Sequence, residues 1–422
     1  MAIDPAEFKR KREEKALQRQ KKQHAALIRL VVAGIVLVLC GLLIFLLTRR
    51  ESASEAPIEP SPQSTEGTSG TEAAAAETVI RLAAVGDLNV TEAVVASGGS
   101  NYDYTNTFLD VAHLLADADI TTLNFEGNLY GAPYGANRSA PQSMMTALQR
   151  IGVDMVQLSN SYSIYKGMHG LVQTIDGVRL AGMEPLGVYP NTQEAAKQKG
   201  YTIRTVRGVK IAFVAFTKGM DGMALPAGNE GCVNLLYKDY STDYQKVDTE
   251  GINMILDAVA KEKPDLTIAL LHWGSEFNNT ISQSQKNICT LLQQKGVDAI
   301  IGTHSHYVQS MTYDEASGSF VAYSLGDFLG DADKAGSEYS VILELEIAKN
   351  AETGETKITS YSYTPIFTVA EEGKPLRIVR IQQAMAAFED GYIDRISQET
   401  YDAMAYALQR IEARVNEKVK AE

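Results

Sequence analysis

Short apolar runs alternate with amphipathic segments along most of the chain beyond residue 79. The apolar runs have the length and β-branched content of buried strands. They are Val79–Val85, Ile120–Leu123, Met155–Leu158, Ile211–Phe216, Leu266–Leu271 and Ala299–Ile301. The segments with helical periodicity are Phe108–Leu115, Met144–Ile151, Gly170–Arg179, Gly251–Lys261 and Gln285–Lys295. This alternation predicts an α/β fold with buried sheet.

Two stretches break the alternation and have the pattern of β-hairpins. Tyr201–Thr217 turns at Arg207-Gly208, and Met311–Leu325 turns at Ser317-Gly318. Antiparallel pairs at these points predict mixed rather than purely parallel sheets. The tail adds two strands and a charged amphipathic helix, predicted at Tyr339–Ile347, Lys357–Phe367 and near Gln398–Val419.

An uncharged apolar segment of 18 residues, Leu30–Leu47, precedes the folded part. Its length nearly spans a hydrocarbon core of about 30 Å, which predicts a transmembrane helix. The alternative is a cleaved signal peptide, but Arg49 and Arg50 follow in place of a small-residue cleavage site. The basic residues upstream predict a cytoplasmic N-terminus and an extracellular main domain, held at the cell membrane by a single pass.

A segment rich in Ser, Glu, Pro, Gly and Ala follows the apolar run and lacks the large apolar residues that a core needs. We therefore expect five parts. These are a basic cytoplasmic segment (1–29), a transmembrane helix (30–47), a disordered linker (48–78), a main α/β domain (79–370) and a C-terminal extension that ends in a helix (371–422).

The charge distribution argues against nucleic acid as a partner. Residues 1–50 hold 11 basic and 4 acidic side chains, which leaves 28 basic and 48 acidic side chains in residues 51–422, a net charge of −20. Phosphate-backbone binding needs clustered positive charge.

The chain has only 3 cysteines, too few for a disulfide framework. Cys232 and Cys289 can pair only if their Cα atoms lie within about 7 Å, and single buried thiols are the alternative.

Polar side chains that can bind metal follow the predicted strands. In α/β sheets, ligands collect at the carboxyl ends of strands. The oxygen and imidazole groups at these positions, without thiolate, suit Zn²⁺, Mn²⁺ or Fe. The candidate metal ligands are Asp87, Glu126, His272, His304 and His306.

Each candidate also has a structural explanation. Asp87 fits a turn or a helix N-cap, Glu126 fits a solvated turn, and His272 beside the single tryptophan fits a packed core residue. His304 and His306 are harder to explain in this way, because a spacing of two on an extended chain directs both rings to the same side.

The ordered motifs VGD, NFEGN, LSNSYSIYKG, HWGSE, GTHSH and YSLGDF resemble those of the CapA family of capsule and poly-γ-glutamate synthesis proteins. The resemblance covers about residues 80–330. It implies a metallophosphatase-like mixed β-sheet sandwich flanked by helices, of the calcineurin type, preceded by a single N-terminal transmembrane helix. It also implies that the five candidate residues line a centre for a divalent metal.

The third motif departs from the family pattern LANNHxLDYG. Asn160 matches, but Ser161 stands where the family has a second Asn, and Tyr162 stands where it has the His expected to assist the leaving group. In the last motif, SLGNF is replaced by SLGDF, so that Asp327 adds a carboxylate. The catalytic residues are therefore left open, and a decayed centre on a persisting fold is an alternative.

Two functions follow from the resemblance. The first is a membrane-anchored module for synthesis, export or anchoring of an anionic surface polymer in the cell envelope, with weak or no hydrolysis. Its partners would be the membrane subunits of a polymer synthase and the polymer itself. The second is an extracellular metal-dependent phosphoesterase, and a plain adhesion domain is a third possibility.

Overall fold

The computed structural model describes residues 77–391 and 396–419. The predicted segments 1–29 and 30–47 lie outside these residues, as does the predicted linker except for its last two residues, which begin the first strand. Among the described residues, every helix is too short or too polar to cross a membrane.

Fourteen strands are present in the described part of the chain. They are β1 Glu77–Asn89, β2 Ile120–Glu126, β3 Met155–Gln157, β4 Glu184–Leu186, β5 Tyr201–Val206, β6 Val209–Thr217, β7 Leu266–His272, β8 Ala299–Thr303, β9 Met311–Asp314, β10 Ser319–Ala322, β11 Asp327–Leu329, β12 Tyr339–Asn350, β13 Thr356–Val369 and β14 Arg377–Arg380.

Ten α-helices lie between and after these strands in the same residues. They are α1 Glu92–Ala96, α2 Thr105–Phe108, α3 Ala112–Ala116, α4 Gln142–Arg150, α5 Gly167–Leu180, α6 Thr192–Gln198, α7 Thr249–Glu262, α8 Gln283–Gln294, α9 Ile381–Glu389 and α10 Gln398–Val415.

The strands form two mixed sheets. The first has the order β14-β13-β12-β1-β2-β3-β4, with β11 paired to β1, and the second has the order β5-β6-β7-β8-β10-β9. Within each sheet the central strands are parallel, β1 to β2 to β3 and β6 to β7 to β8. Strands β2, β7 and β8 are buried along their whole length, as expected for parallel strands covered on both faces.

The apolar core lies in three layers. Alternate residues of β1 enter different layers, because successive side chains of a strand point to opposite faces. Ile80 and Leu82 join Phe213 of β6 in the core between the two sheets. Ala83 and Val85 face the outer core beneath α4 and α5. A third core lies between the second sheet and helices α7 and α8. The predicted α/β sandwich of mixed sheets flanked by helices is confirmed.

Both hairpins are confirmed, since β5 pairs antiparallel with β6 and β9 with β10. The predicted helix Phe108–Leu115 is wrong as a single element, because the chain forms the two short helices α2 and α3. Phe108, Val111 and Leu115 are all fully buried, and Val111 has a φ of −115° at the break. Tertiary burial here outweighs local helical propensity.

The two cysteines in the described residues, Cys232 and Cys289, are buried and free. Burial raises the pKa of both thiols. The alternative of single buried thiols is therefore the one observed.

Candidate metal centre

The carboxyl ends of the parallel strands from both sheets meet at one rim. Asp87 lies near the end of β1, Glu126 ends β2 and His272 ends β7, while His304 and His306 follow β8. All five predicted residues are buried, with at most 6% of any one exposed. The topology therefore brings together side chains that are more than 200 positions apart in sequence.

The first group of ligand-type side chains is Glu126, His272 and His304, whose potential ligand atoms lie within 4.8 Å of one another. Nδ1 of His272 is 3.3 Å from Oε1 of Glu126. The rings of His272 and His304 have centroids 4.3 Å apart. This group crosses the sandwich, because the carboxylate comes from the first sheet and the imidazoles come from the second.

The second group is Asp87, His306 and Asp327, with the same spread of at most 4.8 Å. Nδ1 of His306 is 2.8 Å from Oδ1 of Asp327 and 3.9 Å from Oδ2 of Asp87. Asp327 begins β11 and pairs in register with Asp87. The carboxylate that replaces the Asn of the family motif thus lies inside the cluster.

The purely structural explanations offered above for Asp87 and Glu126 are wrong. Thr91, rather than Asp87, is the N-cap residue of α1. Glu126 is 1% exposed, which excludes a solvated turn. His272 is fully buried, as its core explanation requires, but it also faces Glu126.

The expectation that His304 and His306 lie on an extended chain is wrong. Both residues have a left-handed backbone, with φ values of 88° and 59°. The resulting bends send the two rings into different groups, with centroids 6.3 Å apart. Left-handed φ is uncommon in residues other than glycine, so this separation could not be read from the spacing.

Two asparagines, neither proposed above as a ligand, hold the cluster together. Nδ2 of Asn124 is 2.5 Å from Oδ1 of Asp87 and 3.3 Å from Nδ1 of His272. Asn160 donates to Oδ1 of Asn124 at 3.1 Å. The signal for Asn124 was its place two residues before Glu126, on the same face of β2.

Ser161 and Tyr162, the two departures from the family motif, also border the cluster. Oγ of Ser161 is 3.1 Å from Nε2 of His272, so Ser161 holds the ring nitrogen that faces away from Glu126. The Tyr162 ring lies under the guanidinium of Arg138, 4.6 Å from its centroid. Burial raises the pKa of Tyr162 to about 12.

Burial sets the charge state of the carboxylates. Desolvation raises the pKa of Asp87 and raises the pKa of Glu126 well above its ordinary value, with a further contribution from the neighbouring Asp87. It also raises the pKa of Asp327 to about 6. Such carboxylates are stabilised by nearby positive charge.

The pKa values of the histidines differ between the two groups. Burial lowers the pKa of His272 and His304 well below the ordinary value, so both rings are neutral and able to act as ligands. For His306, burial alone would lower the pKa, but the carboxylates of Asp327, Glu126 and Asp87 outweigh it and raise the pKa to about 10.

The surroundings of the His304 ring indicate whether these residues fit a divalent metal. The His304 side chain is buried, yet among the described residues neither ring nitrogen has a hydrogen-bond partner. A buried polar group left unsatisfied costs about 1–3 kcal/mol. A cation bound between Glu126, His272 and His304 would supply the missing partner, and neutral imidazole with carboxylate is a donor set that Zn²⁺, Mn²⁺ and Fe accept. The residues fit.

Comparisons with known proteins show the family to which the chain belongs. The family model described as bacterial capsule synthesis protein PGA_cap matches residues 81–332, more than half of the chain. The capsule biosynthesis protein CapA of Bacillus anthracis is 23% identical over 289 residues, which are 64% of this chain and 64% of that protein. The chain thus spans a little under two thirds of this relative.

Two further similarities are more distant. The PGA biosynthesis protein CapA of Bacillus subtilis is 21% identical over 67% of this chain and 71% of that protein. Among solved structures, the calcineurin-like phosphoesterase YfkN from Bacillus subtilis is 15% identical and covers 79% of this chain and 100% of that chain, with a TM-score of 0.41.

The family match includes β1, β2, β7, β8 and β11, and therefore every strand that supplies the cluster. The chain belongs to the bacterial capsule synthesis protein family PGA_cap.

Proposed function

We propose that this protein is anchored in the cell membrane and acts outside the cell in the synthesis, export or anchoring of an anionic surface polymer of the poly-γ-glutamate type. Its buried cluster holds divalent metal and has weak or no hydrolytic activity. The observation that carries the proposal is the convergence of six buried ligand-type side chains at one rim, in a chain of the PGA_cap family.

The polymer role is supported by the relatives, which are described as capsule and PGA biosynthesis proteins. The partners we propose are the polymer and the membrane subunits of its synthase. Membrane anchoring rests on the uncharged segment Leu30–Leu47 and the basic residues before it.

Two donor groups would hold the metal, Glu126 with His272 and His304, and Asp87 with His306 and Asp327. In the second group the His306 ring would lose, on binding metal, the proton that it otherwise carries. We propose Mn²⁺, Zn²⁺ or Fe at these groups and a metallophosphatase-like fold around them. Bound divalent ions at such a centre lower the pKa of a bound water and neutralise phosphoryl charge. Among this chain's own residues, Asn124 fixes the orientation of Asp87 and His272, and Ser161 fixes the His272 ring.

Weak hydrolysis follows from Tyr162. A general acid works best when its pKa lies near the operating pH. The Tyr162 phenol, with a pKa of about 12, stays protonated at neutral pH and gives up its proton far less readily than the imidazole of the family motif would. Its ring also lies against Arg138.

An extracellular phosphoesterase is the second candidate function. The specific observation in its favour is that all five predicted ligands are buried in one cluster and that Asp327 adds a sixth group. The two candidates share the metal, and turnover of a phosphodiester distinguishes them.

A metal and activity measurement separates them. The full-length protein is loaded with Mn²⁺ or Zn²⁺, bound metal is counted, and hydrolysis of bis-p-nitrophenyl phosphate is followed. We expect bound metal that falls in His304→Ala and in Asp87→Ala, each of which removes a ligand from one of the two groups, with turnover close to background. Metal-dependent turnover lost in the same variants would establish the phosphoesterase instead, and absence of metal from the wild type would contradict the proposal.

The double substitution Ser161→Asn with Tyr162→His restores the residues of the family motif. We expect it to raise metal-dependent hydrolysis by about 100-fold, the lower end of what a positioned acid contributes. The single substitution Tyr162→Phe is the control, because it keeps the ring and removes only the hydroxyl. Equal activity in the double variant and the wild type would show that another defect limits turnover.

Membrane topology has its own test. An epitope tag after Glu422 should be reached by antibody on intact protoplasts, whereas a tag before Met1 should be reached only after lysis. The reverse pattern would contradict the proposed orientation.

A further inference from the structure

A strip of alternating cationic and aromatic side chains leads away from the buried cluster. We define it as Arg138, Tyr162, Tyr165 and Lys166. The Arg138 guanidinium lies 4.6 Å from the Tyr162 ring centroid, the two tyrosine rings are 5.7 Å apart, and the Lys166 ammonium lies 5.4 Å from the Tyr165 centroid. Ser161, which contacts His272, immediately precedes Tyr162, and Tyr165 further along the strip is 37% exposed.

Neither cation of the strip forms a close ion pair. Among the described residues, no carboxylate lies within 4.0 Å of the Arg138 guanidinium or the Lys166 ammonium, and neither side chain makes a hydrogen bond. The charges of Glu276 and Asp221 raise the pKa of Tyr162. They also stabilise the charged form of Lys218, so these two carboxylates have a cation other than Arg138 near them. The positive charge of Arg138 opposes the rise in the pKa of Glu126, so the Arg138 guanidinium is within electrostatic reach of the cluster.

The backbone holds Arg138 in a strained position. Asn137 and Arg138 have φ values of 56° and 57°. Hydrogen bonds to Asn128 fix this loop, since the Asn128 amide donates to Arg138 O at 2.8 Å and its side chain donates to Asn137 O at 2.9 Å. Strained residues persist only where the surroundings determine them, and they concentrate at ligand sites.

We propose that the strip binds consecutive oxyanion groups of an extended anionic chain, with Arg138 on the group nearest the cluster and Lys166 on a group further out. The proposal rests on the proposed function in that it takes the cluster as the inner end of the ligand site. Residues 51–422 have a net charge of −20 and repel a polyanion unless local cations are accessible to it. The partly exposed Arg138 and Lys166 provide such cations.

The ligand must be extended because two aromatic rings separate the two cations. The successive spacings along the strip are 4.6, 5.7 and 5.4 Å, so an extended ligand can place one oxyanion group on Arg138 and a later one on Lys166. The planar guanidinium matches an oxyanion with two parallel hydrogen bonds. The stacked tyrosine holds that plane in place, and the exposed Tyr165 offers apolar surface to the links of the chain between its charged groups.

The test compares single and repeated oxyanions on the full-length protein. Affinities are measured for inorganic phosphate, for a ten-residue glutamate oligomer and for polyphosphate of about ten units, with Mn²⁺ and after chelation. Mn²⁺ binding is measured separately by electron paramagnetic resonance. The variants are Arg138→Gln, Arg138→Lys, Lys166→Gln and the matched control Lys197→Gln. Lys197 is exposed on α6, which is paired to the far end of α5 through Arg179 and Glu194.

We expect Arg138→Gln to weaken phosphate and both oligomers by about tenfold, the range of one charge-assisted contact. Arg138→Lys should recover part of that loss. Lys166→Gln should weaken the oligomers by about fivefold and leave phosphate unchanged. Binding of only one oligomer type identifies carboxylate or phosphate as the repeating group and supports the proposal in either case.

The proposal is overturned if no oligomer binds, if Lys197→Gln causes the same loss as Lys166→Gln, or if Lys166→Gln weakens phosphate and oligomer alike. Absence of Mn²⁺ binding would refute the proposed metal centre. The Lys166 comparison in the chelated protein would still decide whether the strip binds a chain, so the two failures are distinguishable.

Discussion

At the scale of single residues, the contact between Gly86 and Gly326 determines how closely the two halves of the second ligand group approach each other. A Cβ atom at Gly86 would lie 1.7 Å from Gly326 O, and the Asp87 amide donates to that same oxygen at 3.0 Å. The absence of a side chain at Gly86 therefore allows β11 to bring Asp327 beside Asp87.

We predict that Gly86→Ala lowers the free energy of unfolding by about 1–3 kcal/mol, the usual cost of overpacking. It should also weaken Mn²⁺ binding, because β11 must move away from β1. Urea unfolding and a Mn²⁺ titration measure the two effects.

The control is Gly182→Ala. Gly182 has a φ of 84° but open space around its Cβ position. It should lose about 1 kcal/mol to backbone strain with unchanged Mn²⁺ affinity. Unchanged affinity in Gly86→Ala as well would refute the role of this contact.

At the scale of elements, one aspartate immediately precedes each of four parallel strands and fastens it to its neighbour. The backbone amide of the aspartate donates to the carbonyl of a residue on the adjacent strand. The carboxylate of the aspartate accepts from the backbone amide of that same partner residue. The pairs are Asp119 with Arg81, Asp154 with Thr121, Asp265 with Lys210 and Asp298 with Thr267. This double contact fixes the register at the amino ends of strands whose carboxyl ends carry the cluster.

Asp298→Ala should lower the free energy of unfolding by about 1–2 kcal/mol, because the Thr267 amide loses its carboxylate partner. Asp298→Asn keeps an acceptor and should cost less.

Burial raises the pKa of Asp298, so the folded state binds its proton more tightly than the unfolded state. The wild type therefore loses stability relative to Asp298→Asn as pH rises from the unfolded pKa of about 4 through the raised folded pKa. Urea unfolding at pH 4.5 and pH 7 measures this difference. A cost of Asp298→Asn that is larger at pH 7 than at pH 4.5 would contradict it.

The elements that the sequence predicted well are the buried ones. The starts of β2, β3, β7 and β8 coincide with the predicted starts, because continuous apolar runs can only be buried parallel strands in this context. The strands that the sequence did not predict are short or lie at edges. β4 lies at a sheet edge and contains Pro185, and β11 has three residues, so neither carries a periodic signal.

At the scale of the whole molecule, helix α10 closes the core between the two sheets. Met404, Ala407, Ile411 and Val415 recur at helical spacing and are all buried in the layer that also contains residues of β1 and β6. The C-terminal residues described by the structure thus complete the same sandwich that positions the cluster.

We predict that Met404→Ala lowers the free energy of unfolding by about 2–5 kcal/mol, as expected for a buried large-to-small substitution. Tyr406→Ala on the same helix is the control, because Tyr406 is 58% exposed and a surface change costs about 0.5 kcal/mol or less. Chemical denaturation measures both variants. Similar losses in the two variants would contradict the packing described for α10.

Convergence of the candidate ligands could be predicted from the sequence, but their division into two groups could not. Parallel strands bring their carboxyl ends to one edge of a sheet whatever their separation in sequence. This places Asp87 beside Glu126 in the first sheet and His272 beside the end of β8 in the second, and the packing of the two sheets brings the two edges together. The division depends on left-handed bends at His304 and His306, and on the β11 pairing that brings in Asp327. Neither feature produces a periodic pattern of apolar residues.

The left-handed backbone at His304 and His306 sets two selective pressures on this chain against each other. Glycine or asparagine would adopt these conformations with less strain, and either would remove an imidazole. A library of random variants sorted only for resistance to proteolysis should therefore become enriched in replacements at these two positions. A library sorted for survival of the living cell would keep the histidines wherever their chemistry is needed, so the contrast between the two libraries would measure what the organism gains from them.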